Sequence, residues 1–486
     1  MNRVSSMEYE AVIGMEVHVQ LLTRSKMFCS CSADYAAAPP NTHTCPVCTG
    51  FPGVLPVINK TAVEYALLTA LALNCHIAPE AIYSRKSYFY PDLPKNYQIS
   101  MYDLPLSEKG WLEIEAEGQL KSIGIRRVHL EEDTAKLLHT NGYSLVDFNR
   151  SGVPLLEIVS EPDIRTSEEA RQYLIKLRTI LRYLGVSTGD MEKGAMRCEA
   201  NISLRPRGSQ GLGTKVEVKN LNSFRAVKLA LEYEIERQSR LLSEGSRVRQ
   251  VTMGWDEGRG VTVEQRSKEE AHDYRYFPEP DLPPLVLSPA WVEDVKKRLP
   301  ELPDAKRDRF MAQYDLPRYD AALLTGDRAI ADYYERCVAA ARAYNLTPKL
   351  ISNWVTGELF RLLKESETEI HDCRASPESL VELLSLVEEG KVNPNTAKEV
   401  LEEMFKTGRR ATSIVQEKGL RQISDADRLG CIVEEVLASH PEQVEEYLAG
   451  KEPVLGWLIG QVMKATKGKA NPKLVAKLLK EKLKPN

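Results

Sequence analysis

Glutamates and a histidine alternate with apolar residues in several short segments of the first half of the chain. In the segment 14–20, Glu16, His18 and Gln20 alternate with Met15, Val17 and Val19. Alternate side chains of a strand share one face, so the three polar groups would point the same way. Oxygen and imidazole ligands on one sheet face could hold a divalent cation. A solvent-facing strand with ordinary polar alternation explains this segment equally well.

Four further segments, 129–133, 156–161, 198–203 and 215–220, also combine strand-like patterns with glutamates. Glu157 lies inside an apolar run, where an ionised carboxylate is costly unless it is paired or bound to metal. Hard oxygen ligands with neighbouring lysines suit Mg²⁺ that bridges phosphate oxygens. Five such segments therefore favour a metal-binding sheet face over chance polarity.

Some familiar nucleotide and nucleophile motifs are missing from the sequence. It has no Gly-x4-Gly-Lys-Ser/Thr loop, and the glycines of 208–213 lack the dinucleotide spacing. If ATP binds, we expect it on the sheet face. There is no Gly-Gly-Ser-Ser-Gly run, and position 2 is Asn2 rather than a cysteine nucleophile. We therefore expect that the chain cannot liberate ammonia on its own.

Two close cysteine pairs stand on segments rich in Pro, Asn and Thr. They are Cys29 with Cys31 and Cys45 with Cys48. Paired cysteines of this kind predict a tetrahedral, structural zinc site with four sulfur ligands. His43 is a spare candidate ligand. The alternative is that these are small buried thiols without metal.

Aromatic and basic residues mark two other segments, 85–98 and 270–278, and lysines mark the C-terminal end. Aromatic side chains interleaved with charges could stack unpaired bases and contact phosphates, although core packing is the usual role of such residues. The stretch 460–486 has eight lysines and one acid, Glu481. Such blocks often contact polyanions, and a solvated helix end is the alternative.

The elements that would position these residues fall into three regions of an α+β protein. Residues 1–290 mix strand-like runs with helices, 291–407 are almost entirely helical, and 408–486 form short amphipathic helices. The chain has 486 residues, which predicts two to four domains. It has no long apolar run, and the odd count of nine cysteines fits a reducing compartment. We expect a cytoplasmic protein.

Long strings of the sequence are similar to those of one family. They are IGMEVHV (13–19), YFYPD (88–92), HLEED (129–133), PLLEIVSEPD (154–163), MRCEAN (196–201), KNLNSF (219–224), DYRYFP (273–278) and GWLIGQVMK (456–464). Together they resemble the B subunit of the Glu-tRNA(Gln)/Asp-tRNA(Asn) amidotransferases over essentially the whole chain.

The resemblance implies a fold and a set of site residues. The implied fold is a cradle domain with a curved, mainly antiparallel sheet related to the glutamine synthetase catalytic fold, then a helical domain and a small helical tail. The residues that match the catalytic and magnesium site are Glu16, His18, Glu132, Glu157, Glu199 and Glu217. Those predicted to bind ATP or substrate are Lys86, Tyr88, Tyr90, Arg197, Asn201, Lys219, Asn220, Asp273 and Arg275. Those predicted to bind tRNA are Lys464, Lys467, Lys469 and Lys473.

The resemblance also implies a reaction and partners. ATP with Mg²⁺ would phosphorylate the side-chain carboxylate of Glu-tRNA(Gln) or Asp-tRNA(Asn), and ammonia from an amidase-type A subunit would then displace phosphate. A small C subunit would complete the complex. Position 199 is Glu where some relatives have Asp. Two alternatives stay open: a zinc-stabilised tRNA-binding module without catalysis, and a carboxylate–amine ligase for a small substrate.

Overall fold

The computed structural model of the chain describes residues 9–267, 273–420, 426–466, 470 and 472–483. The chain divides into two compact units, the first ending at Leu302 and the second beginning at Pro303. Within the described ranges, no helix combines the length and apolarity that crossing a membrane requires.

Within the part of the chain that the structure describes, the named strands and four helices belong to the first unit. The strands are β1 (Tyr9–Gln20), β2 (His76–Ile77), β3 (Glu80–Ala81), β4 (Ser84–Ser87), β5 (Tyr97–Ser100), β6 (Ser107–Ala116), β7 (Gln119–Glu132), β8 (Lys136–Thr140), β9 (Tyr143–Asp147), β10 (Pro154–Ser160), β11 (Met196–Pro206), β12 (Val216–Leu221), β13 (Val251–Asp256), β14 (Val261–Ser267), β15 (Phe277–Pro278) and β16 (Leu285–Val286). The helices are α1 (Lys60–Ala72), α2 (Ser167–Leu184), α3 (Phe224–Ser243) and α4 (Pro289–Lys296).

One large sheet organises this unit. Its strand order is β14-β13-β12-β11-β1-β10-β7-β5-β4-β15, with β6 joining β7 to β2. β12 and β13 pair in parallel, and the other neighbours pair antiparallel. β8 with β9 and β16 with β3 form separate two-stranded sheets. The α+β class and the mainly antiparallel sheet are therefore confirmed.

The apolar face of the sheet packs against the helices. Val17 and Val19 of β1 are fully buried in one core with Leu174 and Leu177 of α2 and with residues of α1 and α3. Helix α2 shows why these segments are helical: its apolar residues recur at helical spacing, and its ends are capped by the side chain of Thr166 and by a left-handed glycine. Burial of the valines directs the alternate residues of β1 to the opposite face.

The second unit is helical throughout its described residues. Its helices are α5 (Pro303–Tyr314), α6 (Arg318–Leu324), α7 (Arg328–Ala341), α8 (Pro348–Trp354), α9 (Phe360–Glu365), α10 (Pro377–Glu388), α11 (Pro394–Thr407), α12 (Ala411–Glu417), α13 (Ala426–Ser439), α14 (Pro441–Leu448), α15 (Pro453–Ala465) and α16 (Pro472–Lys482). A π-helical segment, Val355–Leu359, connects α8 to α9. The unit holds two apolar clusters, one in 310–415 and one in 429–483. The three-domain division at 290 and 407 stays a prediction.

Candidate active site and metal centre

The strand register gathers the predicted polar residues of β1, β10 and β11 on the face opposite the helices. His18 pairs with Glu157 on one side, and Glu16 pairs with Glu199 on the other. Glu157 in turn pairs with His129 of β7. Since directly paired residues share a face, four adjacent strands contribute to one polar surface. We call these residues, together with Glu131, the acidic face.

At the centre of the acidic face, one imidazole is surrounded by three carboxylates. His18 Nε2 lies 3.5 Å from Glu157 Oε2, 3.6 Å from Glu131 Oε1 and 4.0 Å from Glu16 Oε1. His129 Nε2 lies 3.4 Å from the same Glu157 oxygen. Glu16, His18 and Glu157 form one group with the spacing of metal ligands, and His129, Glu131 and Glu157 form a second. Glu157 belongs to both groups.

The acidic face has the electrostatics of a site suited to a cation. Burial and the charge of Glu157 raise the pKa of both Glu16 and Glu131. Burial alone would lower the pKa of His18, but the hydrogen bond and charges of the glutamates outweigh it and raise that pKa to about 9. Burial would raise the pKa of Glu157, but His129 and His18 hold it well below its usual range. Carboxylates crowded this closely favour either protons or a bound cation.

Glu132, expected on this face, lies on the other side of the sheet. Its carboxylate bonds to Lys95 Nζ and, at 3.0 Å, to the amide of Ile99. It lines a cavity of about 240 Å³ that Lys26 and Cys48 also line. The physical reason is the alternation of β7, in which Glu132 shares its face with Leu130 and the preceding residue takes the acidic face. Glu131 therefore lies on the acidic face, and a catalytic role for Glu132 stays a prediction.

The glutamates of β11 and β12 lie beside this centre and are joined by a lysine. Lys219 Nζ is 2.8 Å from Glu199 Oε1 and 3.7 Å from Glu217 Oε1. Glu217 also accepts a hydrogen bond from the Thr252 hydroxyl at 2.8 Å. Asn201, which pairs with Glu217 in the register, has a buried Oδ1 without a hydrogen-bond partner among the described residues. The structure thus places Glu199, Glu217, Lys219 and Asn201 along one continuous polar surface.

Among the other predicted binding residues, Arg197 pairs with His18 in the strand register, and Lys86 and Tyr88 are near enough to Glu131 for the charges to interact. Burial alone would lower the pKa of Arg197, but the charge and hydrogen bond of the buried Asp133, 2.9 Å away, together with the charge of Glu131, raise it. Lys86 lies 5.0 Å from the ring centre of Tyr274 and 5.9 Å from that of Tyr88, distances typical of cation–π contacts.

The remaining predicted binding residues are not drawn into that cluster. Tyr90 is 54% exposed, and Asp273 and Arg275 are exposed, with the Arg275 amide donating a hydrogen bond to the Asp273 carboxylate. Asn220 has a left-handed φ of 60° and is exposed. Any role for these four in binding stays a prediction.

Sequence reasoning missed several members of the site. His129, Glu131 and Asp133 are buried, and Arg127 Nη2 lies 3.7 Å from Glu157 Oε1. The alternation of β7 was a usable signal, because a strand that directs His129 to one face must direct Glu131 there as well. The partners of Asp133 come from β1, β11 and a loop, and no local pattern reveals such pairs.

The four predicted zinc ligands do converge. The sulfur atoms of Cys29, Cys31, Cys45 and Cys48 all lie within 4.8 Å of one another. A hydrogen bond from Cys29, together with the charge of Lys26, lowers the pKa of Cys48 to about 4 against the effect of burial. Four converging sulfurs with one favoured thiolate are the donor set that zinc prefers. His43 is held through its backbone amide by Asn149.

The tail lysines are only partly within the described residues. Lys464 is exposed in the last turn of α15, beside a cavity that His440 and Gln461 also line. Lys467 and Lys469 lie outside the described residues. Lys473 falls in the first turn of α16, and its side chain is likewise outside them. Binding of tRNA here stays a prediction.

Fold and site together define an α+β protein that carries a cluster of carboxylates and imidazoles on the sheet face opposite helices α1, α2 and α3. The family model of the GatB/GatE catalytic domain matches residues 11–293, and that of the GatB domain matches residues 332–483.

Full-length relatives agree with these matches. Over 98% of this chain, it is 60% identical to the aspartyl/glutamyl-tRNA(Asn/Gln) amidotransferase B subunit of Moorella thermoacetica, of which it covers 100%. It is 55% identical to the protein of the same name from Carboxydothermus hydrogenoformans and 56% identical to that from Roseiflexus castenholzii, over 98% of this chain and 99% of each relative. The chain belongs to the family of tRNA-dependent amidotransferase B subunits.

Proposed function

We propose that this chain activates the side-chain carboxylate of Glu-tRNA(Gln) or Asp-tRNA(Asn) with ATP and then forms the amide with ammonia. The observation that carries the proposal is the group of Glu16, His18, Glu131 and Glu157 on the acidic face. Relatives at 60% and 56% identity along their whole length are named for the two tRNAs and for amidotransfer. Both products would serve translation.

The acidic face supplies what the activation needs. A carboxylate oxygen is a poor leaving group, whereas phosphate leaves readily once the carboxylate has been phosphorylated. Hard oxygen donors and a buried imidazole fit Mg²⁺, and we assign it to Glu16, Glu131 and Glu157 with His18; bound there, it would neutralise phosphate charge. Lys86, on the same side, would add to the attraction for phosphate.

The basic residues beside the acidic face would orient the nucleotide and the substrate. Lys219 is held by Glu199 and Glu217, and Arg127 lies against Glu157. Cations fixed in this way can contact phosphate oxygens without a large reorganisation, which is the basis of electrostatic stabilisation in phosphoryl transfer. We therefore place ATP along the surface between β7 and β12.

The ammonia for the second step comes, in this proposal, from another polypeptide. The relatives are named as B subunits, which implies a complex of several polypeptides. We propose an amidase-type A subunit and a small C subunit as the companions of this chain. All nine cysteines are free thiols in the structure, which supports a reducing compartment such as the cytoplasm.

We further propose that the cysteine cluster binds one structural zinc ion and that the C-terminal helices bind tRNA. The converging sulfurs support the first assignment. The exposed Lys464 and the lysine-rich sequence of the tail support the second. Deleting residues from 408 onward should weaken tRNA binding and flatten its salt dependence while amidation persists at high tRNA concentration.

One reconstituted assay tests the proposed function. The chain and its partner subunits are supplied with ATP, Mg²⁺, free ammonia and Glu-tRNA(Gln), and the aminoacyl group is analysed after deacylation. Gln-tRNA should form with free ammonia as the only nitrogen donor, and EDTA should abolish both amidation and ATP cleavage. Amidation of free glutamate instead would favour a small-substrate ligase. Binding of tRNA without ATP cleavage would favour the non-catalytic module.

A further inference from the structure

A fully buried lysine stands next to the cysteine cluster. Lys26 is 0% exposed, and its Nζ lies 3.6 Å from Cys48 Sγ and 3.3 Å from the carbonyl oxygen of Phe148. An ammonium group taken out of water costs several kcal/mol unless a negative charge compensates it. Among the described residues, no carboxylate oxygen lies within 4 Å of Lys26 Nζ, so the sulfur is its nearest candidate for a counter-charge.

Cys48 is surrounded as a metal-bound thiolate would be. It is the most buried of the four cysteines, at 4% exposed. Its sulfur accepts hydrogen bonds from Lys26 Nζ and from the backbone amide of Cys45, the latter at 3.2 Å. A divalent cation with four thiolates carries two negative charges, and donors in the surrounding shell make such a centre less costly to bury.

We propose that Lys26 is the charge-compensating residue of the metal centre and is required for it to retain its ion. The inference rests on the zinc assignment in the proposed function and goes beyond it, because it explains a buried charge that no other described part of the chain neutralises at contact distance. Lys26 is a positioning residue, because it would act through its contact with the metal ligand Cys48.

The segment that contains Lys26 packs against the chain just before β10, one of the strands of the acidic face. The amide of Met27, the next residue, donates to the carbonyl of Gly152 at 2.7 Å, two residues before β10 begins. Gly152 has a φ of +84°, and a β-carbon there would lie 3.5 Å from both Lys26 Cδ and Cys48 Cβ. The cysteine cluster therefore packs against the chain that leads into the strand carrying Glu157.

The test compares zinc release from the full-length chain and its variants, purified with bound metal. Zinc transfer to a chromogenic chelator is followed by absorbance, with zinc content measured beforehand. Lys26→Gln keeps a hydrogen-bond donor but removes the charge, and it should release zinc at least about tenfold faster than the unmodified chain. Lys26→Arg keeps the charge and should stay close to the unmodified rate. Lys60→Gln, at an exposed lysine, is the matched control.

The outcomes separate this inference from the proposed function. If Lys26→Gln releases zinc at the unmodified rate, the inference is overturned and the zinc assignment stands. If the unmodified chain holds no zinc, both fail. Should Lys26→Gln not fold, Lys26→Met replaces it as the charge-free variant. If neither charge-free variant folds with zinc while Lys26→Arg does, the requirement for positive charge is supported. If Lys26→Arg also fails to fold with zinc, the centre requires the shape of the lysine side chain and not its charge, and the inference is overturned.

Discussion

Glu131 and Glu132 are consecutive and both buried, and their side chains meet different partners on the two sides of the sheet. Glu131 faces His18 and Glu157 on the acidic face. Glu132 faces Lys95, whose ammonium group neutralises it within the chain. A buried carboxylate therefore marks a ligand site only when the fold leaves its charge unbalanced. Two faces of one strand can therefore combine an open site with a closed structural ion pair.

The largest effect should come from Glu157, which both ligand groups of the acidic face share. Glu157→Gln keeps the shape of the side chain but removes the charge that faces His18 and His129. ATP-dependent amidation by the complex should fall about a thousandfold, as when a preorganised electrostatic partner is lost. Glu161→Gln, which removes an exposed ion pair with Arg126, is the matched control. Equal amidation rates for both variants would contradict the assignment of Glu157 to the catalytic site.

The next largest effect should come from the metal centre on the reverse side. Cys31→Ser combined with Cys45→Ser removes two ligands and should abolish zinc binding, since two sulfurs no longer close a tetrahedral site. The midpoint of thermal unfolding should fall by about 5–10 °C, because metal binding contributes folding free energy. Metal analysis and calorimetry check both expectations. Cys431→Ser, at an exposed cysteine, should change neither.

A smaller effect is expected at Glu132, and it should be one of stability. Glu132→Gln leaves the ammonium of Lys95 buried without its counter-charge. The free energy of unfolding should fall by about 2 kcal/mol, in the range for breaking a buried hydrogen bond to a charged group. Denaturant unfolding measures this change, with the exposed Glu108→Gln as control. An unchanged midpoint of denaturant unfolding would mean that the ion pair of Glu132 with Lys95 does not stabilise the fold.

The smallest effect is expected at the periphery of the acidic face. Glu199→Asp shortens the side chain by one methylene but keeps a carboxylate for Lys219 to contact. We expect ATP cleavage to stay within about tenfold of the unmodified rate, less than for the loss of a full electrostatic partner. Glu199→Ala should be more damaging. If the Asp variant is as inactive as Glu157→Gln, Glu199 belongs to the centre of the site.

Periodicity and family resemblance predicted much of this molecule, and their limits have physical causes. Alternation in β1 correctly put Glu16 and His18 on one face, and the region predicted to mix strands with helices, 1–290, contains α3, Phe224–Ser243. The region 291–407, predicted to be almost entirely helical, contains a π-helical segment at Val355–Leu359, which apolar spacing does not reveal. Spacing also predicted four converging cysteines, since short loops keep paired thiols close.

The unpredicted part of the site depends on strand order. β1 lies between β10 and β11, so residues about 140 and 180 positions away along the chain become neighbours of Glu16 and His18. Glu132 differs from Glu131 in having its charge neutralised by Lys95, which a turn brings to β7. Neither relation is encoded in a local pattern.

ATP cleavage by variants at two neighbouring residues distinguishes the roles of Glu131 and Glu132. The complete complex is assembled with Glu131→Gln or with Glu132→Gln, and tRNA-dependent ADP formation is measured with saturating ATP, Mg²⁺ and Glu-tRNA(Gln). Glu131→Gln should lose activity about a thousandfold, whereas Glu132→Gln should retain it within about tenfold. The reverse order, or equal losses in two folded variants, would contradict the assignment of the acidic face as the site of carboxylate activation.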